Sequence, residues 1–279
     1  MRQPKWLSLF LLIPLLCEAT DLKPWFGNDY EAELRATALY QNYRSVATPS
    51  HHNIKREEND AFITLSAAYP FKRYSGEFEA TAAFTRHQSQ CWDNFRVTGR
   101  YQWLNDNEDG DPFSLVTSLT LTEPFSRALH DISSFHHGHL EGEFDISFGK
   151  AYGCECSKDY LYRWWSVIGA GVAEEGSPWL RGDAAFEYNA NGTHLFRGFV
   201  NTLWGMGGEI LDPYHFRGYG KIHHESVDVG FRYGYVIDCF GTLSIQYARR
   251  VYAYNFPENA NLVLIEYYCP FGSQISSSY

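Results

Sequence analysis

Tyr30-Glu31-Ala32-Glu33-Leu34-Arg35-Ala36-Thr37-Ala38-Leu39-Tyr40-Gln41 divides into two sets of alternate residues. Tyr30, Ala32, Leu34, Ala36, Ala38 and Tyr40 form one set, and Glu31, Glu33, Arg35, Thr37 and Gln41 fall in the other. A strand places successive side chains on opposite faces and so sorts these sets, whereas a helix scatters both around its circumference. The alternation returns downstream. Phe95, Val97, Gly99, Tyr101 and Trp103 oppose Arg96, Thr98, Arg100 and Gln102. Leu140, Gly142, Phe144, Ile146 and Phe148 oppose His139, Glu141, Glu143, Asp145 and Ser147. Val227, Val229, Phe231, Tyr233 and Tyr235 oppose Ser226, Asp228, Gly230, Arg232 and Gly234.

About twelve such segments follow one another, each of roughly ten residues, the length a tilted strand needs to cross a bilayer. They lie near 30–43, 60–69, 76–86, 92–104, 113–122, 138–150, 159–172, 179–188, 194–204, 225–236, 242–252 and 261–269. In 159–172 Tyr and Trp occupy both faces, and 205–224 is irregular. No Pro- or Ser-rich linker and no fixed-period repeat divides the chain. A soluble two-sheet sandwich shares this alternation, so the connections must discriminate. If the first strand leaves the periplasm, the three longest connections, 44–59, 123–137 and 205–224, all fall on the outward side. The inward connections 70–75, 105–112, 151–158, 189–193 and 237–241 are short, and membrane barrels sort their loops in this way. The expected fold is all-β: a single antiparallel up-and-down transmembrane β-barrel of about twelve strands.

The ends and the composition agree. Arg2 and Lys5 precede an apolar run from Trp6 to Cys17, and Cys17-Glu18-Ala19 offers a cleavage site, so residues 1–19 read as a cleaved signal peptide. Cys17 would suit a lipoprotein only if a small residue preceded it, and Leu16 stands there. The barrel is then 20–279, with a mature start near Thr20. Losing Arg2, Lys5 and Glu18 takes the net charge from −10 to −11, and an acidic chain without a basic run excludes nucleic acid as a partner. Aromatic residues make up 17% of the chain, and Tyr and Trp are the residues that sit at lipid headgroup level. Mean hydropathy is negative and no later stretch is long and apolar, which excludes helical membrane spans.

With the leader, the alternation and the aromatic-capped segments in hand, the chain resembles Gram-negative outer-membrane β-barrel proteins. Trp25-Phe26-Gly27-Asn28-Asp29-Tyr30 and Ala38-Leu39-Tyr40-Gln41-Asn42-Tyr43 are similar in style to the envelope proteins of chlamydia-like bacteria. The resemblance implies a bacterial outer-membrane location, contact with lipid, and disulfide links to other envelope proteins. One departure concerns closure. Such barrels end in a strand closing on a terminal aromatic, but the residues before Tyr279, Gly272-Ser273-Gln274-Ile275-Ser276-Ser277-Ser278, do not alternate.

Candidate chemistry is sparse. Five cysteines follow the leader: Cys154, Cys156, Cys239 and Cys269 at the inward rim, and Cys91 facing outward. Exported cysteines tend to pair, within the barrel turns or between chains. The histidines gather in the outward connections, at His51, His52, His87, His130, His136, His137, His215, His223 and His224, with His194 inward. Without a fixed ligand spacing they give no metal site, and no cofactor is expected. His224 and Ser226 are the one pair spaced on a strand to serve a lipid hydrolase. Asn191-Gly192-Thr193 reads as a turn. The polar faces should line a lumen with Glu31, Glu33, Arg35, Glu77, Glu79, Arg96, Arg100, Glu141, Glu143, Asp145, Arg181, Asp183, Glu187, Arg197, Asp228, Arg232 and Glu266. Such mixed charge either selects solutes or pairs and plugs the interior. The expected role is therefore non-enzymatic, a small-solute channel or a surface and structural protein. The alternatives are a barrel lipid hydrolase and a soluble, secreted β-sandwich binding module.

Overall fold

The computed structural model describes residues 22–49, 53–153, 160–237 and 240–272. The expected leader 1–19, with Cys17, and also His51, His52, Cys154, Cys156, Cys239 and residues 273–279 lie outside them. The strands are β1 (Ala32–Val46), β2 (Ile54–Phe71), β3 (Tyr74–Phe84), β4 (Cys91–Leu104), β5 (Ser114–Pro124) and β6 (Glu141–Gly153). They continue with β7 (Tyr160–Ala173), β8 (Trp179–Ala190), β9 (His194–Met206), β10 (His223–Ile237), β11 (Gly241–Tyr254), the two-residue β12 (Pro257–Glu258) and β13 (Asn261–Phe271). Each long strand pairs antiparallel with the next, and β1 pairs with both β2 and β13. The sheet therefore closes into a barrel of twelve long strands.

Sidedness is inverted relative to a soluble protein. Leu34, Leu65, Phe78, Val97, Leu119, Phe144, Ile168, Phe186, Phe231, Ile245 and Ile265 are all exposed on the outer face. The inner face buries Thr37, Glu77, Glu79, Thr98, Thr120, Asp145, Glu187 and Asp228. Threonines there meet hydroxyl to hydroxyl across strands, Thr64 with Thr81 at 2.8 Å and Thr98 with Thr120 at 3.1 Å. An apolar outside around a polar inside is the arrangement for a barrel in lipid. The soluble sandwich is excluded on two counts, since there is one sheet rather than two and its apolar face points outward.

Connection lengths correct part of the sequence reading. The longest are 125–140, with 3₁₀ turns at Ala128–His130 and Ile132–Ser134, and 207–222; both lie at the same end. The stretch 44–59 is not a loop throughout. β1 runs to Val46 and β2 begins at Ile54, pairing Tyr43 with Glu58 and Ser45 with Lys55. Above the apolar belt both faces of a strand meet polar surroundings, so alternation disappears there while pairing persists. At the other end the turns after β2 and β8 are tight. Lys72 (φ 54°) turns β2 into β3, and Asn191 (φ 59°) with Gly192 (φ 71°) turns β8 into β9. Asn and Gly adopt that left-handed conformation most readily, and Asn189 Oδ1 accepts from the Gly192 N–H at 3.0 Å.

The outward face of β5 tests this sidedness. Leu119→Arg should cost about 2–4 kcal/mol of folding stability in lipid vesicles, since it sets a charge against hydrocarbon. Thr120→Val, one residue along and facing the lumen, should change that stability far less; equal penalties would contradict the assignment of faces.

Candidate functional site

Closing the sheet concentrates charge inside, and the charges pair. Near the short-turn end, Glu187 takes Arg163 at 2.5 Å, Arg197 at 2.8 Å and the Tyr160 hydroxyl at 2.5 Å. Arg232 pairs with Glu266, and Arg35 with Glu77 at 3.4 Å. At mid-height Arg181 lies 3.0 Å from Glu143, 2.9 Å from Asp145 and 3.5 Å from Asp183, and Arg96 lies 3.4 Å from Glu79. Higher up, Arg250 holds Asp228 through two bonds of 2.7 and 2.8 Å. Such forked pairs are the stronger charge-assisted hydrogen bonds.

Most of the residues the alternation assigned to the lumen turn inward here. Glu31 is the exception: it precedes β1 and accepts from Asn28 at the rim. Six further buried charges, Glu58, Asp60, Asp93, Asp131, Arg163 and Arg250, lie outside the set that the alternation assigned. Glu58 fell in a stretch read as loop, and the aromatic neighbours of Arg163 hid its face.

Two chain segments occupy this lumen. Residues 22–27 fold inward from the short-turn end. Trp25 is buried, donates to Asp106 Oδ1 at 2.8 Å and meets Trp165 edge-on at 6.0 Å. Arg100 donates to the Lys23 carbonyl and Gln102 to that of Pro24 at 3.1 Å, while Arg163 lies over the Trp25 ring. These aromatic surfaces explain why 159–172 carries Trp on both faces: Trp165 serves the lumen and Trp164 the outside.

From the other end, connection 125–140 bends into the barrel. The Ser133 hydroxyl donates to Asp60 at 2.5 Å and meets the Tyr43 hydroxyl at 2.9 Å, and Gln88 donates to Ser134 Oγ at 2.5 Å. Phe135, in left-handed conformation at φ 31°, stacks on Phe256 at 4.6 Å and packs near Tyr219. Connection 207–222 adds Tyr219, whose N–H donates to the His136 carbonyl at 2.7 Å and whose hydroxyl donates to that of Ile132 at 2.9 Å. What remains of the lumen is a series of cavities. Leu22 and Phe135, one from each plugging segment, both line a cavity of about 250 Å³ and another of about 220 Å³.

The other candidates separate. Cys91 and Cys269 are both free and stand at opposite ends of the barrel, so they cannot bridge one another. The His224–Ser226 pair forms no hydrolase couple among the described residues, and neither do His130 and Ser133, which stand three residues apart in the inward-folded connection. His224 Nδ1 bonds the Ile222 carbonyl at 3.0 Å and no hydrogen bond joins it to Ser226, while His130 bonds Phe216 and Ser133 serves Asp60.

No family model and no curated protein matches the chain. Its fold is similar to that of an outer membrane channel from Pseudomonas putida F1, with TM-score 0.70 and 11% identity over 91% of this chain and 100% of that one. It is also similar to the NanC porin, with TM-score 0.55 and 11% identity over 85% of this chain and 98% of that one. These likenesses are of fold, and the fold is that of bacterial outer-membrane barrels. The apolar belt is the surface such a barrel turns to lipid.

The inward-folded connection carries its own pH dependence. Burial alone would lower the His136 imidazole, but Asp93 at 2.8 Å and Glu141 at 3.7 Å outweigh it, and its pKa is pushed up to about 10. A group raised in the folded state contributes its full stability below its ordinary value of 6.5 and loses it as pH rises through about 10. The denaturant midpoint should therefore fall between neutral pH and about pH 10, and His136→Gln should flatten that fall. An unchanged pH profile in the variant would contradict the pairing.

Proposed function

We propose that this chain is an outer-membrane diffusion channel for small polar solutes, described here in a closed state. The carrying observation is the lumen itself. Cavities lined by charged pairs lie in series inside the barrel, and two short segments of the same chain, 22–27 and 125–140, fill the space between them. A barrel whose interior served only as a core would be filled by strand side chains. Here loops and a terminal segment do the filling, and such segments can move without unfolding the wall. The names of the two similar structures, a channel and a porin, support the same reading. Arg181 and Arg197 of the lumen wall, with Asp183, Asp228 and Glu266, would be the groups a passing solute meets.

A scaffolding role is the second reading, favoured by Cys269. Its side chain shares the outward face with Tyr267 and Phe271 at the short-turn rim, where a neighbouring envelope protein can reach it. Disulfide-linked species in non-reducing electrophoresis of intact envelopes, lost in Cys269→Ser, would favour it.

Planar-bilayer recording separates the two. The wild-type barrel should show small or brief openings, and Trp25→Ala combined with Phe135→Ala should raise conductance several-fold by loosening both plugs. Absence of conductance in wild type and double variant alike would overturn the channel reading.

A further inference from the structure

The histidines of the long-loop end find a common setting. A vestibule of about 620 Å³ opens between connections 125–140, 174–178 and 207–222. His130, His139, His215, Glu174, Glu209 and Asp212 line it, against Arg217 and Lys221 of opposite charge. His137 lines this vestibule and also the 220 Å³ cavity beneath it, so it stands between the mouth and the lumen.

Beside it is His224, fully buried, with ring centroids 5.2 Å apart. Both rings are fixed. His224 Nδ1 bonds the Ile222 carbonyl at 3.0 Å, which leaves Nε2 as the free acceptor. His137 stacks flat on Trp179 at 3.9 Å, with its Nδ1 3.7 Å from Glu141 Oε1. Trp179 is itself held by a 2.7 Å bond from its indole N–H to Glu143. Gly205 lets the His224 ring lie against the wall, since a Cβ at that position would fall 2.0 Å from His224 Cε1.

Both Nε2 atoms are buried and have no hydrogen-bond partner. A buried acceptor left unpaired is costly, and a native structure keeps one for a reason. Metal-binding histidines engage one ring nitrogen with a carbonyl or carboxylate and present the other to the ion. Two imidazoles ligating one ion through nitrogens about 2.0–2.1 Å away have ring centroids about 5–6 Å apart. His224 meets the first count, with Nδ1 engaged and Nε2 free, and the 5.2 Å between the two rings meets the second.

We propose that His137, which lines the vestibule, and the buried His224 beside it bind a divalent late first-row transition ion, of the Zn²⁺ or Cu²⁺ class. Imidazole nitrogens suit these ions, whereas Mg²⁺ and Ca²⁺ prefer oxygen ligands. No three His, Cys, Asp or Glu side chains among the described residues converge on a common point, so water or a vestibule anion completes the shell. Binding is then exchangeable rather than structural. The carboxylates and histidines above gather the ion at the mouth.

The test is calorimetric titration of the refolded, chelator-stripped barrel with Zn²⁺ alone and with Cu²⁺ alone, using Mg²⁺ as the control. One equivalent should bind at micromolar concentration, and Mg²⁺ should not. His137→Phe and His224→Phe keep the ring stacking and should each weaken binding at least tenfold, while His194→Ala, at the opposite end of the barrel, should leave it unchanged. Heat-modifiable migration reports folding for each variant, and His224→Gln serves if the phenylalanine variant fails to fold. Binding that survives loss of both histidines, or no binding below millimolar metal, would overturn the assignment.

Discussion

The pairing of β1 with both β2 and β13 is the constraint on which the rest of this molecule depends. It leaves the sheet no edge, so each strand's backbone groups find partners within the wall. Only with that requirement met can the outer face be given to Leu, Ile, Val and Phe against lipid. The inner face must then carry the polar half of the alternation. Its charges, removed from bulk water, need opposite charges within reach; Glu187 between Arg163 and Arg197, and Arg181 among three carboxylates, meet that need. Such pairs act more by fixing geometry than by adding stability, because desolvation offsets much of their attraction.

A wall stabilised in this way does not need its interior filled by its own side chains, and that has a functional consequence. The segments that fill the lumen are attached to the strands but are not part of them. Trp25 enters from one end on a hydrogen bond to Asp106, and Phe135 from the other against Phe256. Both segments are thus held by contacts that lie outside the strand ladder.

Strand positions were readable in the sequence because lipid on one side and polar lumen on the other impose a period of two. The reading weakened wherever one of those surroundings changed. Above the belt, Lys55, Arg56, Glu57 and Glu58 are polar on both faces, so alternation does not mark the strand there. Along β7, Trp164 and Trp165 are aromatic on both faces because the inward one packs on Trp25, a contact no local pattern announces. Glu77 and Glu79 sit in clean alternation along β3 and are buried, whereas Arg250 follows the exposed Arg249, and two adjacent charges leave the inward one unmarked. The His137–His224 pair was beyond linear spacing altogether. It arises from a loop folding against β10, and its trace in the sequence was a glycine, Gly205, paired in register with His224.

The central claim, a closed barrel with lipid outside and charge within, is tested most directly by spin labels placed one at a time along β5 in reconstituted vesicles. Labels at Leu119 and Leu121 should be relaxed by oxygen dissolved in the bilayer, and labels at Ser118 and Thr120 should be shielded from it. Oxygen accessibility that fails to alternate, or that is higher at Ser118 and Thr120, would contradict the inverted barrel.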